Sequence, residues 1–315
     1  MTRVAAIDCG TNSIRLLIAD VTDGRLTDVV RTLEVVRLGQ GVDRTGRFAD
    51  DALDRTLAAT RRYAELCREH RVERLRFVAT SATRDATNRD DFLGPVRDLL
   101  GVEPEVIEGH EEAELSFRGA LSVLDSSGSA EQTHLVIDLG GGSTELVLGG
   151  SRPIAAYSMD VGCVRLTERS VTSDPLSAED REALARDVRS ALEEAGRVVD
   201  VSAASAVLGV AGTVTTITAH ALRLPGYDPV AINGATLPLD VVLAACEELA
   251  FMPRAERAAL PFMHPGRVDV IPAGAVIWAE VLTHVRDRTA ENGSPITEVI
   301  TSEHDILDGV ALSLA

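Results

Sequence analysis

The sequence predicts an α/β protein built as two similar lobes with a cleft between them, and three observations predict it. The 315 residues, 45% of them hydrophobic, exceed what a single hydrophobic core usually organises, so two domains are expected. A pattern of apolar strand, polar glycine turn and apolar strand stands near the start of each half. Between and after the two copies, helical and strand periodicities alternate, which is the mark of the α/β class.

Residues 4–21 hold the first hairpin, turning at Gly10, Thr11, Asn12 and Ser13. Residues 50–70 set Leu53, Leu57, Ala64 and Cys67 at helical spacing among charges, an amphipathic helix, and 75–80 read as a buried strand. A further helix begins after Gly109 within the stretch 108–121. The Ser- and Gly-rich stretch 124–131 reads as the linker between a first lobe at 1–124 and a second at 125–315. A C-terminal helix near 304–315 is expected to pack back on the first lobe.

The strand 134–137 opens the second hairpin. Aligning 6–18 with 136–148 pairs Ile7 with Ile137, Asp8 with Asp138, Gly10 with Gly140, Ser13 with Ser143 and Leu16 with Leu146. These five identities in thirteen positions read as an internal duplication, with chance similarity of two unrelated D-x-G hairpins as the alternative. Residues 178–199 are helical through Leu184, Val188, Leu192 and Ala195, with Ser177 and Asp180 spaced as a capping box. An apolar run at 203–208, a small-residue loop at 209–213 and a helix at 214–222 follow.

All 31 basic residues are arginine, and lysine is absent. This excludes a Walker A loop, a Schiff-base lysine and a kinase-type strand lysine. A phosphate can then be gripped only by arginine, backbone N–H groups, hydroxyls and metal. The net charge of −18 excludes broad nucleic-acid binding, which needs a basic surface to displace phosphate counterions. Cys9, Cys67, Cys163 and Cys246 form no C-x-x-C pair and match neither a zinc site nor a disulfide scaffold. Asp8 interrupts the first apolar stretch and no run approaches eighteen apolar residues, so a cytoplasmic protein without a membrane partner is expected.

The run Asp138, Leu139, Gly140, Gly141, Gly142, Ser143, Thr144, Glu145 is the most informative segment. Successive glycines let backbone approach a ligand and present N–H groups as an anion nest, and Asp138 in front of them can hold Mg²⁺ against phosphate oxygens. A plain glycine-rich hairpin turn explains the same residues. Asp8 with Gly10, Thr11, Asn12 and Ser13 forms a second loop of the type, in which ordinary turn chemistry is again the alternative. Glu108, Glu111 and Glu112 read either as acidic residues favoured at a helix start or as a carboxylate cluster supplying a general base. Arg84, after the strand read at 75–80, is either a bidentate phosphate ligand or one surface arginine among many. Gly212 and Thr213, in a strand-loop-helix setting, suit phosphate contact or simple helix packing.

Taken together, the chain resembles the exopolyphosphatase and guanosine pentaphosphate phosphohydrolase family. The resemblance rests on AAIDCGTNSIRLLIA at 5–19, TSATRDA at 80–86, VIEGHEEAELSFRGA at 106–120, LVIDLGGGSTELVLG at 135–149, GVAGTVTT at 209–216 and IPAGAVI at 271–277. It implies two ribonuclease-H-like lobes of the actin-like ATPase superfold with the active site in the cleft. By motif, the catalytic base falls on Glu112, the phosphate loops on residues 10–13 and 140–143, and the phosphate-binding arginine on Arg84. Asp138 and Glu145 fall on acidic positions tied to metal and catalysis, and Asp8 stands in the duplicated position. The chain departs from many members near Asp308, where they carry an arginine.

The reaction so implied is Mg²⁺-dependent removal of terminal phosphate from inorganic polyphosphate, or alternatively from guanosine pentaphosphate. The sequence does not reveal the oligomeric state, and a homodimer is one assembly compatible with it. Two rivals stand beside this reading: a small-molecule kinase of the same superfold, and a nucleotide- or alarmone-binding regulator with little turnover.

Overall fold

Val4, Ala5, Ala6, Ile7 and Cys9 are all buried, so the first strand must be covered on both faces. The computed structural model describes residues 1–123 and 132–315. The stretch 124–131, read above as the linker, lies outside the described residues. The chain divides into two compact units, Met1–Gly119 with Asp305–Ala315, and Ala120–His304.

The first unit runs β1 (Thr2–Cys9), β2 (Ser13–Thr22), β3 (Arg25–Val35), α1 (Val42–Thr45), α2 (Asp50–Glu69), β4 (Arg74–Ala79), α3 (Ser81–Asp85), α4 (Asp90–Leu100), β5 (Glu105–Val106) and α5 (Gly109–Ala120). Its sheet order is β3-β2-β1-β4-β5, antiparallel across β1, β2 and β3 and parallel from β1 through β4 to β5.

The second unit runs β6 (His134–Leu139), β7 (Thr144–Gly149), β8 (Pro153–Met159), α6 (Cys163–Ser170), α7 (Ala178–Ala195), β9 (Ala206–Val210) and α8 (Ala211–Ala221). It continues through α9 (Pro229–Ile232), β10 (Thr236–Pro238), α10 (Leu239–Phe251), α11 (Arg254–Ala259), α12 (Ile271–Glu291) and β11 (Glu298–Thr301). Its sheet order is β10-β11-β9-β6-β7-β8. Counted from its own first strand, the first sheet reads 3-2-1-4-5 and the second 3-2-1-4-6-5, the same order and strand directions once β10, an added antiparallel edge, is set aside. This is the ribonuclease-H-like order of the actin-like ATPase superfold, present twice.

The last helix, α13 (Ile306–Leu312), belongs to the first unit. Its Ile306, Leu307, Val310 and Ala311 cluster with Val4, Ala6, Leu17 and Ala19 on one face of the sheet. Ala5, Ile7, Cys9, Ile14, Leu16 and Ile18 face the opposite way and cluster with Tyr63 of α2 and Phe92 of α4. Strand side chains alternate with period two, so Asp8 and Arg15 share the α13 face with Ala6 and Leu17. The polar groups of the first hairpin are thereby gathered at one end of one face.

Helices α5 and α13 cross in backbone contact. A Cβ at Gly119 would overlap the Asp305 carbonyl, and one at Gly309 would overlap the Leu115 carbonyl. Because the obstacle is backbone on both sides, Gly119→Ala is expected to cost about 1–3 kcal/mol. A lowered denaturant midpoint at unchanged slope measures this, and a wild-type midpoint would show that the crossing relaxes freely.

Two local expectations are corrected. Ser177 does cap α7, accepting from Asp180 N at 3.0 Å, but Asp180 does not close a capping box. Four donors from Thr172 and Ser173 occupy its carboxylate, and Ser177 N turns to Ser173 Oγ. The expected loop at 209–213 is absent, because β9 runs through Gly209 to Val210 and α8 starts at Ala211. Ala211 makes the junction in one residue with φ 73°, and Gly209 is needed inside the strand, where a Cβ would come within 2.6 Å of Trp278. Among the described residues no helix is long and apolar enough to cross a membrane.

Candidate functional site

Both D-x-G segments fold into the same turn. Gly10 N donates to Ser13 O at 2.9 Å, and Gly140 N donates to Ser143 O at 3.0 Å. The strand registers then set Asp8 opposite Arg15 in the first unit and Asp138 opposite Glu145 in the second. The duplicated position therefore differs in charge. In the first unit the aspartate faces a guanidinium, and in the second it faces another carboxylate.

In the first unit, α3 and α5 bring Arg84 and Glu112 together. Arg84 Nη1 donates to Glu112 Oε2 at 2.7 Å and to Ile107 O at 2.9 Å, and both side chains are largely buried. Burial pushes the Glu112 carboxyl above the usual range, while Arg84 pulls it back, the Asp8 charge adds to the rise, and Thr80 donates to it. Glu111 points elsewhere, because neighbours on a helix diverge by about 100°. It pairs at 2.6 Å with Arg76, which also holds Glu105, and its side chain is 39% exposed. Glu112 is 8% exposed, so the two glutamates, which residue spacing alone does not distinguish, differ in burial and partner.

Three buried polar atoms of this region, Asp8 Oδ1, Asn12 Oδ1 and Thr83 Oγ1, have no hydrogen-bond partner among the described residues. Buried polar atoms are rarely left unsatisfied, and they collect where a ligand or ion completes them. Asp8 carries an elevated pKa through desolvation, opposed by Arg15. The backbone of the turn is held from behind: Gly39 N donates to Thr11 O, and Val36 N and Arg37 N donate to Asn12 O.

In the second unit, the glycine loop lies against the start of α6. Gly140 O accepts from Cys163 N, Gly141 O from Val164 N and Arg165 N, and Gly142 O from Arg165 Nε at 2.7 Å. In a planar trans peptide the N–H points opposite to the carbonyl. With three successive carbonyls committed to α6, the N–H groups of Gly141, Gly142 and Ser143 are aimed away from it, as an anion nest requires. The approach is so close that Gly162 has no room for a Cβ beside Gly141 and Gly142. Glu145, 1% exposed, accepts from Ser158 Oγ at 2.7 Å.

Gly212 and Thr213 lie in the first turn of α8, where backbone N–H groups are unsatisfied within the helix. Arg267 packs directly on Gly212 and donates to Thr216 Oγ1 at 3.1 Å. Sequence reasoning missed this arginine. Nothing in its own neighbourhood marks it, and only the fold lays it over a helix start.

The residues present fit a hard divalent cation. Asp8 offers a buried, unpartnered carboxylate oxygen, and Asp138 and Glu145 are buried carboxylates opposed across a strand pair, where like charges repel unless neutralised. Among the described residues no three His, Cys, Asp or Glu side chains converge as a cage. Within each unit, such carboxylates suit a hard cation held by one or two of them and completed by water.

The chain is similar over its whole length to known proteins. The profile of the Ppx/GppA phosphatase family matches residues 17–296. Exopolyphosphatase 2 of Mycobacterium tuberculosis is 51% identical over 324 residues, covering 100% of this chain and 99% of that protein. The crystal structure of an exopolyphosphatase-like protein is 46% identical with a TM-score of 0.95, over 100% of this chain and 98% of the other. An exopolyphosphatase from Cytophaga hutchinsonii is 25% identical with a TM-score of 0.87, over 99% and 97% of the two chains.

Proposed function

The chain belongs to the Ppx/GppA phosphatase family, and from that premise we propose that it hydrolyses the terminal phosphoanhydride bond of inorganic polyphosphate with Mg²⁺. The observation that carries this reading is the buried Glu112 paired with Arg84. A carboxylate whose proton affinity is raised by desolvation is suited to act as a general base, and an arginine beside it is suited to bind phosphate.

Arg84 uses Nη1 to hold Glu112 and the Ile107 carbonyl, which fixes its plane before substrate binds. Its remaining N–H groups receive phosphate oxygens. Glu112 then orients a water and takes its proton as the oxygen attacks the terminal phosphorus. The bond from that phosphorus to the bridging oxygen breaks, and the shortened chain leaves with the electron pair. In the first unit the turn at Gly10, Thr11, Asn12 and Ser13 is a phosphate-binding element, and in the second unit so are the N–H groups of Gly141, Gly142 and Ser143 and the α8 start at Gly212 and Thr213. Mg²⁺ would be held by Asp138 and Glu145 in the second unit, with Asp8 the corresponding acid of the first, and when bound it would neutralise phosphate charge. Arg267 joins this set as a further cation for the polyanion.

Phosphate release from short polyphosphate, long polyphosphate, ATP and guanosine pentaphosphate tests the reading. Turnover of polyphosphate is expected, and failure on all four substrates would favour the regulatory alternative. Arg84→Ala should lower kcat/KM about 10- to 100-fold, the worth of a charge-assisted contact, with KM raised. Unchanged values of both constants would make Arg84 only a partner of Glu112.

A further inference from the structure

We propose that Asp305 is a positioning residue for Asp8, acting through Arg15 to keep one Asp8 oxygen open. The inference rests on the reading that Asp8 serves the phosphate site. An arginine facing a carboxylate favours two parallel N–H···O bonds, one to each oxygen. Arg15 does not do this. Its Nε and Nη2 both donate to Asp8 Oδ2, at 3.0 and 2.7 Å, and Oδ1 stays buried without a partner among the described residues.

The third arm explains the departure. Arg15 Nη1 donates to Asp305 Oδ2, from a residue 290 positions away in the chain. Both carboxylates are nearly out of water, with side-chain exposures of 6% for Asp8 and 5% for Asp305. The guanidinium is thus suspended between two anions, and Asp305 prevents it from rotating to cover both oxygens of Asp8.

Asp305 can do this because it is itself immobilised. Its Oδ1 accepts from Leu307 N at 3.0 Å, and its own N–H donates to Asp308 Oδ2 at 3.2 Å, closing a capping box on α13. Arg31 grips Asp308 through two nitrogens, at 3.1 and 2.5 Å. Gly119 of α5 lies against the Asp305 carbonyl, so the helix that carries Glu112 and the residue that steadies Asp8 share one mount.

Asp305→Asn tests the proposal, because asparagine caps a helix as well as aspartate but does not hold a guanidinium by charge. Its melting temperature should stay near wild type. Freed Arg15 should close on both Asp8 oxygens, and kcat on polyphosphate should fall about tenfold with KM unchanged, as for other outer-shell partners. Mn²⁺ uptake by the substrate-free protein, followed by loss of the free-ion EPR signal, should weaken by a similar factor. In an Arg15→Met background, adding Asp305→Asn should cause no further loss. Wild-type kcat and Mn²⁺ uptake in Asp305→Asn, a loss that tracks a lowered melting temperature, or full additivity with Arg15→Met would each overturn the proposal. Asp8→Asn is measured alongside. If it turns over normally, the premise about Asp8 fails and the proposal with it, whereas an inactive Asp8→Asn beside an active Asp305→Asn removes the proposal alone.

Discussion

Glu112→Gln is expected to lower kcat by about 10²- to 10⁴-fold, the range for loss of a general base, while Glu111→Gln remains within about threefold of wild type. The two glutamates are neighbours on α5, yet their surroundings assign them different work. Glu111 is tied to Arg76 at a partly exposed position, and Glu112 is buried against Arg84. Glutamine keeps the size of Glu112 and still accepts from Arg84, but it cannot take a proton from water. Substrate affinity should therefore survive, and it improves if removing a carboxylate relieves repulsion of the polyanion.

The same residue predicts the acid limb of the pH profile. A base must be deprotonated to act, and burial raises the Glu112 pKa above the ordinary carboxylate value. Activity should fall as pH drops through that raised pKa, so the inflection lies above the usual glutamate range. When phosphate oxygens share Arg84, its stabilisation of the Glu112 carboxylate weakens and the inflection in kcat moves higher still. The residual activity of Glu112→Gln should lack this limb. If Glu111→Gln loses turnover while Glu112→Gln keeps it, the assignment is wrong by one residue.

Removal of divalent metal is expected to have an equally large effect. Asp8, Asp138 and Glu145 are all buried acidic groups, and a polyphosphate end adds several negative charges to such surroundings. Without a cation, arginines and backbone N–H groups must neutralise that charge alone, which phosphoryl transfer does not tolerate. Excess EDTA should cut phosphate release to roughly a hundredth or less, with recovery on adding Mg²⁺ beyond the chelator. Full turnover in EDTA would sink the metal assignment while leaving the Glu112 assignment standing.

Much of the fold could be read from local pattern. Two apolar runs around a polar glycine turn marked the hairpin that became β1 and β2, and the helical spacing of Leu53, Leu57, Ala64 and Cys67 marked α2. The match between 6–18 and 136–148 pointed to two copies of one unit, and the two sheets indeed share one strand order and one turn. These features are legible because each depends on residues close in sequence: which face is apolar, and where glycine lets the chain reverse.

The sequence by itself determined the chemistry available: arginine as the sole long basic side chain, two glycine turns each preceded by aspartate, and a glutamate pair at a helix start. Only the tertiary structure decided which of these groups meet. The motif resemblance put the base on Glu112, but the partners that set the two glutamates apart, Arg84 on α3 for Glu112 and Arg76 on β4 for Glu111, are visible only in the fold. Placing Arg267 on the start of α8, and Asp305 on Arg15, required crossover connections that join segments far apart in the chain. The physical reason is one of range. Backbone propensity and hydrophobic period act over a few residues, whereas a buried charge finds its partner across a sheet or helix crossing whose register the whole core sets.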